Sequence, residues 1–145
     1  MKRTIAMLLS CLLLIGCIGL PVSAAETPEI MPYYNNVMKT SSSFSIDASG
    51  TGTVRASYAG LSGITESVTI TIKIQKRSLG LIWTKVDIGV PNNEIVVTST
   101  NVNDTFIYTI PLDTTGNYRA VISYTITGSA GADDTIEDIC TAEYN

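Results

Sequence analysis

Strict alternation of apolar and polar residues is the feature that most limits the folds open to this chain. From Val68 to Gln75, Val, Ile, Ile and Ile occupy every second position, and Thr, Thr, Lys and Gln fill the positions between them. A period of two residues puts the apolar side chains on one face of a β-strand and the polar ones on the other. This segment therefore predicts a strand that buries one face in a core.

The same alternation recurs in short segments that are separated by Gly, Asn, Asp and Ser, and no segment has helical periodicity. Seven or eight such segments at regular spacing are typical of an antiparallel two-sheet Ig-like β-sandwich. We predict this all-β fold for residues 43–145, with strand structure beginning near Phe44. Residues 25–42 contain Pro28 and Pro32 and lack either periodicity, which predicts an extended N-terminal arm.

A short motif near the C-terminus orders the strands. The segment Asp113-Thr114-Thr115-Gly116-Asn117-Tyr118 resembles the tyrosine corner of immunoglobulin-like domains. In that corner a tyrosine at the start of the penultimate strand bonds its hydroxyl to the preceding turn. We therefore expect Tyr118 to open the penultimate strand and the last strand to pair with it.

The N-terminus predicts export. Lys2 and Arg3 precede an apolar run from Ile5 to Leu20, and Pro21-Val22-Ser23-Ala24 has the small residues of a signal peptidase site. We predict a signal peptide at residues 1–24, cleaved after Ala24 or Ala25, and no stable membrane span after cleavage. An alternative is a surface lipoprotein, because Leu14-Ile15-Gly16-Cys17 fits a bacterial lipobox in which Cys17 would carry the lipid.

Charge and cysteine content narrow the possible partners. Cleavage removes Lys2 and Arg3 and leaves seven basic and 13 acidic residues, a net charge of −6, which argues against nucleic acid as a partner. Cys140 is then the single cysteine, so no internal disulfide can form. Its neighbours Ile139 and Ala142 predict a small buried hydrophobe and not a reactive thiol.

Catalytic machinery is not recognisable. The chain contains no histidine, which excludes the Ser-His-Asp and Cys-His nucleophiles and the commonest zinc ligand. We therefore predict a protein that is not an enzyme and needs no cofactor. One acidic loop could offer oxygen ligands to calcium, although its spacing follows no EF-hand and solvation is the simpler role. Its members are Asp133, Asp134, Glu137 and Asp138.

Two aromatic residues are candidates for a ligand platform, Trp83 and Tyr58. Trp83 shares its parity with Lys85 and Asp87, so an unbroken strand would turn its indole towards solvent. Large aromatic side chains are mostly buried, however, and a bulge near Gly80 would rotate the indole inward. We predict that Trp83 is a buried structural residue of the core.

Four segments carry a family resemblance. They are Pro32-Tyr33, Ile72-Lys73-Ile74-Gln75-Lys76, Trp83-Thr84-Lys85-Val86 and Gly116-Asn117-Tyr118-Arg119. In order and spacing they resemble a group of small exported Firmicutes proteins of unknown function. The resemblance implies an extracellular β-sandwich and carries no activity with it.

Together these observations favour a secreted, non-catalytic binding or adhesion module whose partner is an extracellular protein or a cell-wall surface. A small carbohydrate-binding protein that uses Trp83 and Tyr58 is the alternative. A third possibility is a secreted structural or competition factor without a ligand of its own.

Overall fold

The structure, a computed structural model, describes residues 34–145. The predicted signal peptide, Cys17 and residues 25–33 of the predicted arm lie outside the described residues. The described part is all-β, as predicted, and has eight strands and one short 3-10 turn at Pro91–Asn93. The strands are β1 Val37–Ile46, β2 Thr51–Gly60, β3 Thr65–Ser78, β4 Ile82–Lys85, β5 Glu94–Ser99, β6 Asn103–Pro111, β7 Gly116–Gly128 and β8 Asp134–Tyr144. Among residues 34–145 no helix is long and apolar enough to cross a membrane.

The strands form two antiparallel sheets. One has three strands in the order β1-β2-β6, and the other has five, with β4-β3-β7-β8 in line and β5 also paired to β3. Strands β4 and β5 share the same partner because they pair with different parts of it: residues 75–78 of β3 pair with β4, and residues 68–73 pair with β5. The long strand β3 therefore organises the five-stranded sheet.

One apolar core joins the two sheets. The alternating residues Val54, Ala56 and Tyr58 of β2 belong to the same buried cluster as the inward residues of β3 and β7. The strand predicted from Val68 to Gln75 buries Val68, Ile70, Ile72 and Ile74, as its alternation requires. Each fully buried aliphatic side chain of this kind contributes roughly 1.5–3 kcal/mol. The prediction of two antiparallel sheets around one core is confirmed.

Strand β1 begins at Val37, earlier than the expected start near Phe44, so that residues 37–42 of the predicted arm belong to this strand. The segment from Met38 to Ser43 is rich in Ser and Thr and carries no apolar alternation. Its strand structure depends on backbone pairing with β2 over nearly its whole length. The partners of Lys39 to Ser43 lie 12 to 20 residues away and leave no signal in local sequence.

The predicted tyrosine corner is present. Tyr118 is the third residue of β7 and is 2% exposed. Its hydroxyl donates a hydrogen bond to the backbone carbonyl of Thr114. The last strand, β8, pairs with β7 along its whole length, from Gly116 opposite Tyr144 to Ile126 opposite Asp134. Tyr118 thus opens the penultimate strand, as the motif predicts.

Candidate functional site

Trp83 lies on the outward face of the five-stranded sheet. Its partner across the ladder is Arg77, and the pairing of β3 with β4 runs without a register shift from Gln75 to Ser78. The side chain is half-buried and does not belong to the core. The prediction of a bulge that rotates Trp83 inward is therefore wrong. The three-residue connection Leu79-Gly80-Leu81 pairs Arg77 with Trp83, and cross-strand partners share a face, so strand pairing, and not the average burial of tryptophan, sets the orientation.

Two arginines stack on this indole. The guanidinium carbon of Arg119 lies 4.5 Å from the ring centroid, and that of Arg77 lies 6.0 Å from it. Both distances fall within the range of cation–π attraction. Arg119 is on β7 and is held in position by its Nε, which donates to Oε1 of Gln75 at 2.7 Å. We call Arg77, Trp83 and Arg119 the Trp83 cluster.

Among residues 34–145, no carboxylate forms an ion pair with the arginines of the Trp83 cluster. Within residues 34–145 the ion pairs are Lys73 with Glu94 at 3.3 Å and Lys85 with Glu94 at 3.4 Å. Burial raises the pKa of Glu94, but the hydrogen bonds and charges of the two lysines outweigh it and hold that pKa below its usual value. Glu94 therefore stays ionised and is shared by the two lysines, and Arg77 and Arg119 are left without a carboxylate partner in this part of the chain.

An open groove of about 360 Å³ lies beside the cluster. Arg77 and Trp83 line it together with residues of β7 and β8, namely Asn117, Tyr118, Thr141, Ala142 and Glu143. A guanidinium presents several donors in a planar fork that suits carboxylate and phosphate oxygens, and an indole offers apolar area. The groove is thus equipped to hold an anionic or amphipathic group.

Tyr58 is not part of this surface. It lies on the inward face of the three-stranded sheet, is 4% exposed and donates its hydroxyl to the carbonyl of Asn101 at 2.8 Å. Burial raises the pKa of this phenol. It borders a second groove of about 200 Å³ beside β1, but its ring is part of the core. The prediction that Tyr58 could form a ligand platform with Trp83 is wrong.

The acidic loop does not converge on one site. Asp134 is 7% exposed, and its two carboxylate oxygens accept the backbone N–H groups of Asn35 at 3.0 Å and Asn36 at 2.6 Å. Asn36 is itself fully buried, and its side-chain amide donates to the carbonyl of Ala132. This connection between the start of β1 and the loop before β8 was not visible in the sequence. Asp134 is a structural residue, and each of its carboxylate oxygens already accepts a backbone hydrogen bond.

The other acidic residues point in different directions. The carboxylate of Asp138 accepts a hydrogen bond from Oγ of Ser42 at 2.7 Å. The single Ser42 proton is used there, so its oxygen accepts from the Tyr124 hydroxyl, also at 2.7 Å. Asp133 and Glu137 are exposed to solvent. No group of three metal-binding side chains occurs among the residues that the structure describes.

Cys140 is partly buried against the core and is free. Burial raises the pKa of its thiol, and the charge of Asp138 raises it further. A raised pKa lowers the thiolate fraction at neutral pH, which fits the predicted packing role of this residue.

Sequence reasoning identified Trp83 but missed Arg119 and Arg77. Strand parity alone assigns Arg119 to the outward face of β7, opposite to Tyr118 and Ala120. That signal was available. What the sequence does not contain is the order of the strands, which places β7 next to β3 and so brings Arg119 within reach of an indole 36 residues away.

No protein-family model matches the chain, and a comparison with curated proteins finds no match. Among solved structures, the chain is similar to a β-glucosidase from Listeria innocua in complex with isofagomine, with 15% identity and a TM-score of 0.40 over 73% of this chain. It is also similar to Spo0M, a sporulation control protein from Bacillus subtilis, with 10% identity and a TM-score of 0.37 over 75% of this chain. The chain spans 16% of the first protein and 50% of the second. At this distance neither likeness assigns a function to the chain.

Proposed function

We propose that this chain is a secreted, non-catalytic binding module that contacts an extracellular protein or cell-wall partner through the outward face of its five-stranded sheet. The observation that carries the proposal is the Trp83 cluster, in which two arginines without a carboxylate partner among the described residues stack on a half-buried indole beside an open groove. Tryptophan and arginine are the residue types most enriched where binding energy is concentrated.

An Ig-like fold is part of the proposal. Its support is the strand order β1-β2-β6 in one sheet and β4-β3-β7-β8 in the other, together with the Tyr118 corner between β6 and β7. Domains of this type are rigid pairs of sheets whose loops cluster at the two ends of the sandwich. Secretion is proposed from the signal peptide predicted at residues 1–24.

Carbohydrate binding has less support. A sugar ring stacks on an open aromatic face, and the guanidinium of Arg119 already lies over the indole of Trp83. The second aromatic residue considered for such a platform, Tyr58, is in the core. The geometry therefore favours a partner that contacts the arginines as well as the indole.

Binding of the purified exported protein to isolated cell envelopes tests the proposal. We expect saturable binding that Arg119→Ala weakens at least fivefold, because this change removes the cation that stacks on Trp83 and contacts Gln75. Arg55→Ala is the matched control, since Arg55 is an exposed arginine on the outward face of the other sheet. Equal losses in both variants, or no saturable binding, would contradict the proposed surface.

A further inference from the structure

The turn that joins β3 to β4 exposes more apolar surface than any comparable segment of the described chain. Leu79 is 93% exposed, Leu81 82% and Ile82 59%. No other large hydrophobic residue in the described part exceeds 68%. We call residues 78–82 the hairpin tip. Single exposed apolar residues are ordinary, but three within four positions mark an interaction site.

The hairpin tip extends beyond the rest of the sheet. The pairing of β3 with β7 ends at Lys76, and its pairing with β5 ends at Lys73. Beyond these points β3 pairs only with β4, through Arg77 and Ser78. A Cβ atom added at Gly80 would meet no atom within 4 Å. The apolar side chains are therefore carried on a two-stranded projection with open space around it.

The backbone of the tip is unfavourable for its sequence. Leu79 has φ 50° and Gly80 has φ 70°, and the N–H of Leu81 donates to the carbonyl of Ser78 at 3.2 Å. Two consecutive left-handed residues form the hairpin turn in which Asn-Gly and Asp-Gly are preferred. Leucine at the first position adopts an unfavourable left-handed backbone conformation and exposes an apolar side chain. Since neither the strained backbone nor the exposed side chain stabilises the fold, strain of this kind points to a function of the side chain.

Positive charge is gathered beside the tip. Seven lysines and arginines occur in residues 34–145, and five of them lie near this end of the five-stranded sheet: Lys73, Lys76, Arg77, Lys85 and Arg119. Glu94 forms ion pairs with Lys73 and Lys85. Lys76 bonds to the hydroxyl of Thr114, and Arg77 and Arg119 stack on Trp83. An otherwise acidic molecule thus presents three cations without an ion pair among residues 34–145 next to its most exposed leucines.

We propose that the hairpin tip docks the protein on the surface of an anionic lipid bilayer. Leu79, Leu81 and Ile82 enter the boundary of the acyl chains, Trp83 lies at the interface, and the cations beside it contact lipid phosphates. The proposal goes beyond the proposed function, because it adds a lipid surface to the protein or cell-wall partner proposed for the same end of the sheet.

The sequence of side chains along the hairpin matches the layers of a bilayer. Apolar residues stand at the tip, the single tryptophan follows, and the cations lie behind it. Tryptophan favours the interface of a membrane, and clustered lysines and arginines favour anionic headgroups. A stable protein interface needs roughly 800 Å² from each partner, which a hairpin tip of five residues does not offer. The geometry therefore favours a lipid surface over a protein pocket.

Sedimentation with lipid vesicles tests the proposal. We expect the exported protein to bind vesicles of equal phosphatidylglycerol and phosphatidylcholine, to bind phosphatidylcholine alone at least tenfold more weakly, and to shift its Trp83 emission to the blue on binding. Leu79→Asn combined with Leu81→Ser should weaken binding to the mixed vesicles at least tenfold. Ile107→Ser is the matched control, because Ile107 is 58% exposed on the other sheet. Thermal melts of each variant report folding separately.

The outcomes separate this inference from the proposed function. Absent vesicle binding, with envelope binding that still depends on Arg119, would overturn lipid docking and leave the binding module intact. Envelope binding that proteolysis of the envelopes abolishes would identify a protein as the occupant instead. Vesicle binding that the leucine variant leaves unchanged would also overturn the role of the tip. Absence of both vesicle and envelope binding would remove the lipid inference and the proposed function together.

Discussion

At the scale of single residues, Arg119 is central to the outward face. Its Nε bonds to Gln75 on the neighbouring strand, and its guanidinium lies over the indole of a residue one strand further away. A planar guanidinium can do both at once because hydrogen bonds use its edge and stacking uses its face. Lysine could supply the charge at this position but not the stacked plane.

Trp83→Ala should cost about 1–2 kcal/mol of unfolding free energy, less than the 3–5 kcal/mol typical of a tryptophan truncated in a core. The reason is that this indole is half-buried and its neighbours across the sheet are arginines. Chemical denaturation measures the difference. A loss of 4 kcal/mol or more would mean that the indole packs in the core after all.

Tyr118→Phe should cost about 1–2 kcal/mol, since it removes the hydroxyl that bonds to the Thr114 carbonyl and leaves that acceptor without its partner. Tyr108→Phe is the matched control, because Tyr108 is exposed on β6. Urea melts of the two variants should differ in midpoint, with the control close to the wild type. Equal midpoints would remove the corner from the account of stability.

At the scale of elements, β3 determines both the core and the proposed binding region. Its inward residues from Val68 to Ile74 are buried, and its last residues carry the hairpin beyond the sheet. Strand β1 is the contrasting case, because little of its own side-chain surface is apolar. Only Val37 and Phe44 of this strand are buried in the core, and its further attachment comes from pairing with β2, from the Ser42 hydrogen bond to Asp138, and from the preceding Asn36, which donates to Asp134.

Leu79→Asn alone should stabilise the fold by about 0.5–1 kcal/mol. Asparagine tolerates the left-handed backbone that Leu79 adopts, and Asn-Gly is the preferred pair in this turn. Leu81→Asn serves as the control, because Leu81 has no positive φ and gains nothing from the change. Thermal unfolding compares the two variants. Destabilisation by Leu79→Asn would show that the leucine makes a contact that favours the folded state.

At the scale of the whole molecule, one core holds two sheets without a disulfide in the described part, whose Cys140 is free. The predicted mature chain is acidic, yet its basic residues are concentrated near one end of one sheet. Such an uneven distribution lets an acidic protein present a local cationic surface, whose attraction for anions weakens as salt screens it.

Calcium should not change the stability of the molecule. Asp134 already accepts two backbone hydrogen bonds, and Asp138 accepts one from Ser42, so the acidic loop cannot direct six or more free oxygens at one point. Melting curves in calcium and in chelator should superimpose. A shift of several degrees would show a bound ion.

The mature protein should begin at Ala25 or Glu26, because Val22-Ser23-Ala24-Ala25 has the small residues that signal peptidase requires. Intact-mass measurement of protein from the culture medium checks this. A lipidated N-terminal Cys17 in the membrane fraction would support the lipoprotein alternative and contradict the predicted cleavage.

Local sequence was sufficient for much of the fold. The inward faces of β3 and β7 and the position of Tyr118 all follow from a period of two residues and from one turn motif. The same period correctly turns Trp83 outward, and the prediction failed only where the average burial of tryptophan was preferred to parity. The part of β1 before Phe44 could not be predicted in this way, because its Ser- and Thr-rich segment has no apolar face.

Alternation in the sequence is enough to establish strands that bury one face, because a period of two residues puts every second side chain on the same side of a strand. The order of the strands, and with it the neighbours across each sheet, is set by the fold as a whole. That order put Tyr58 in the core, tied Asp134 to the start of β1, and brought Arg119 onto Trp83. The physical reason is that cross-strand contacts depend on which strands pair, and residues far apart in sequence carry no local record of that pairing.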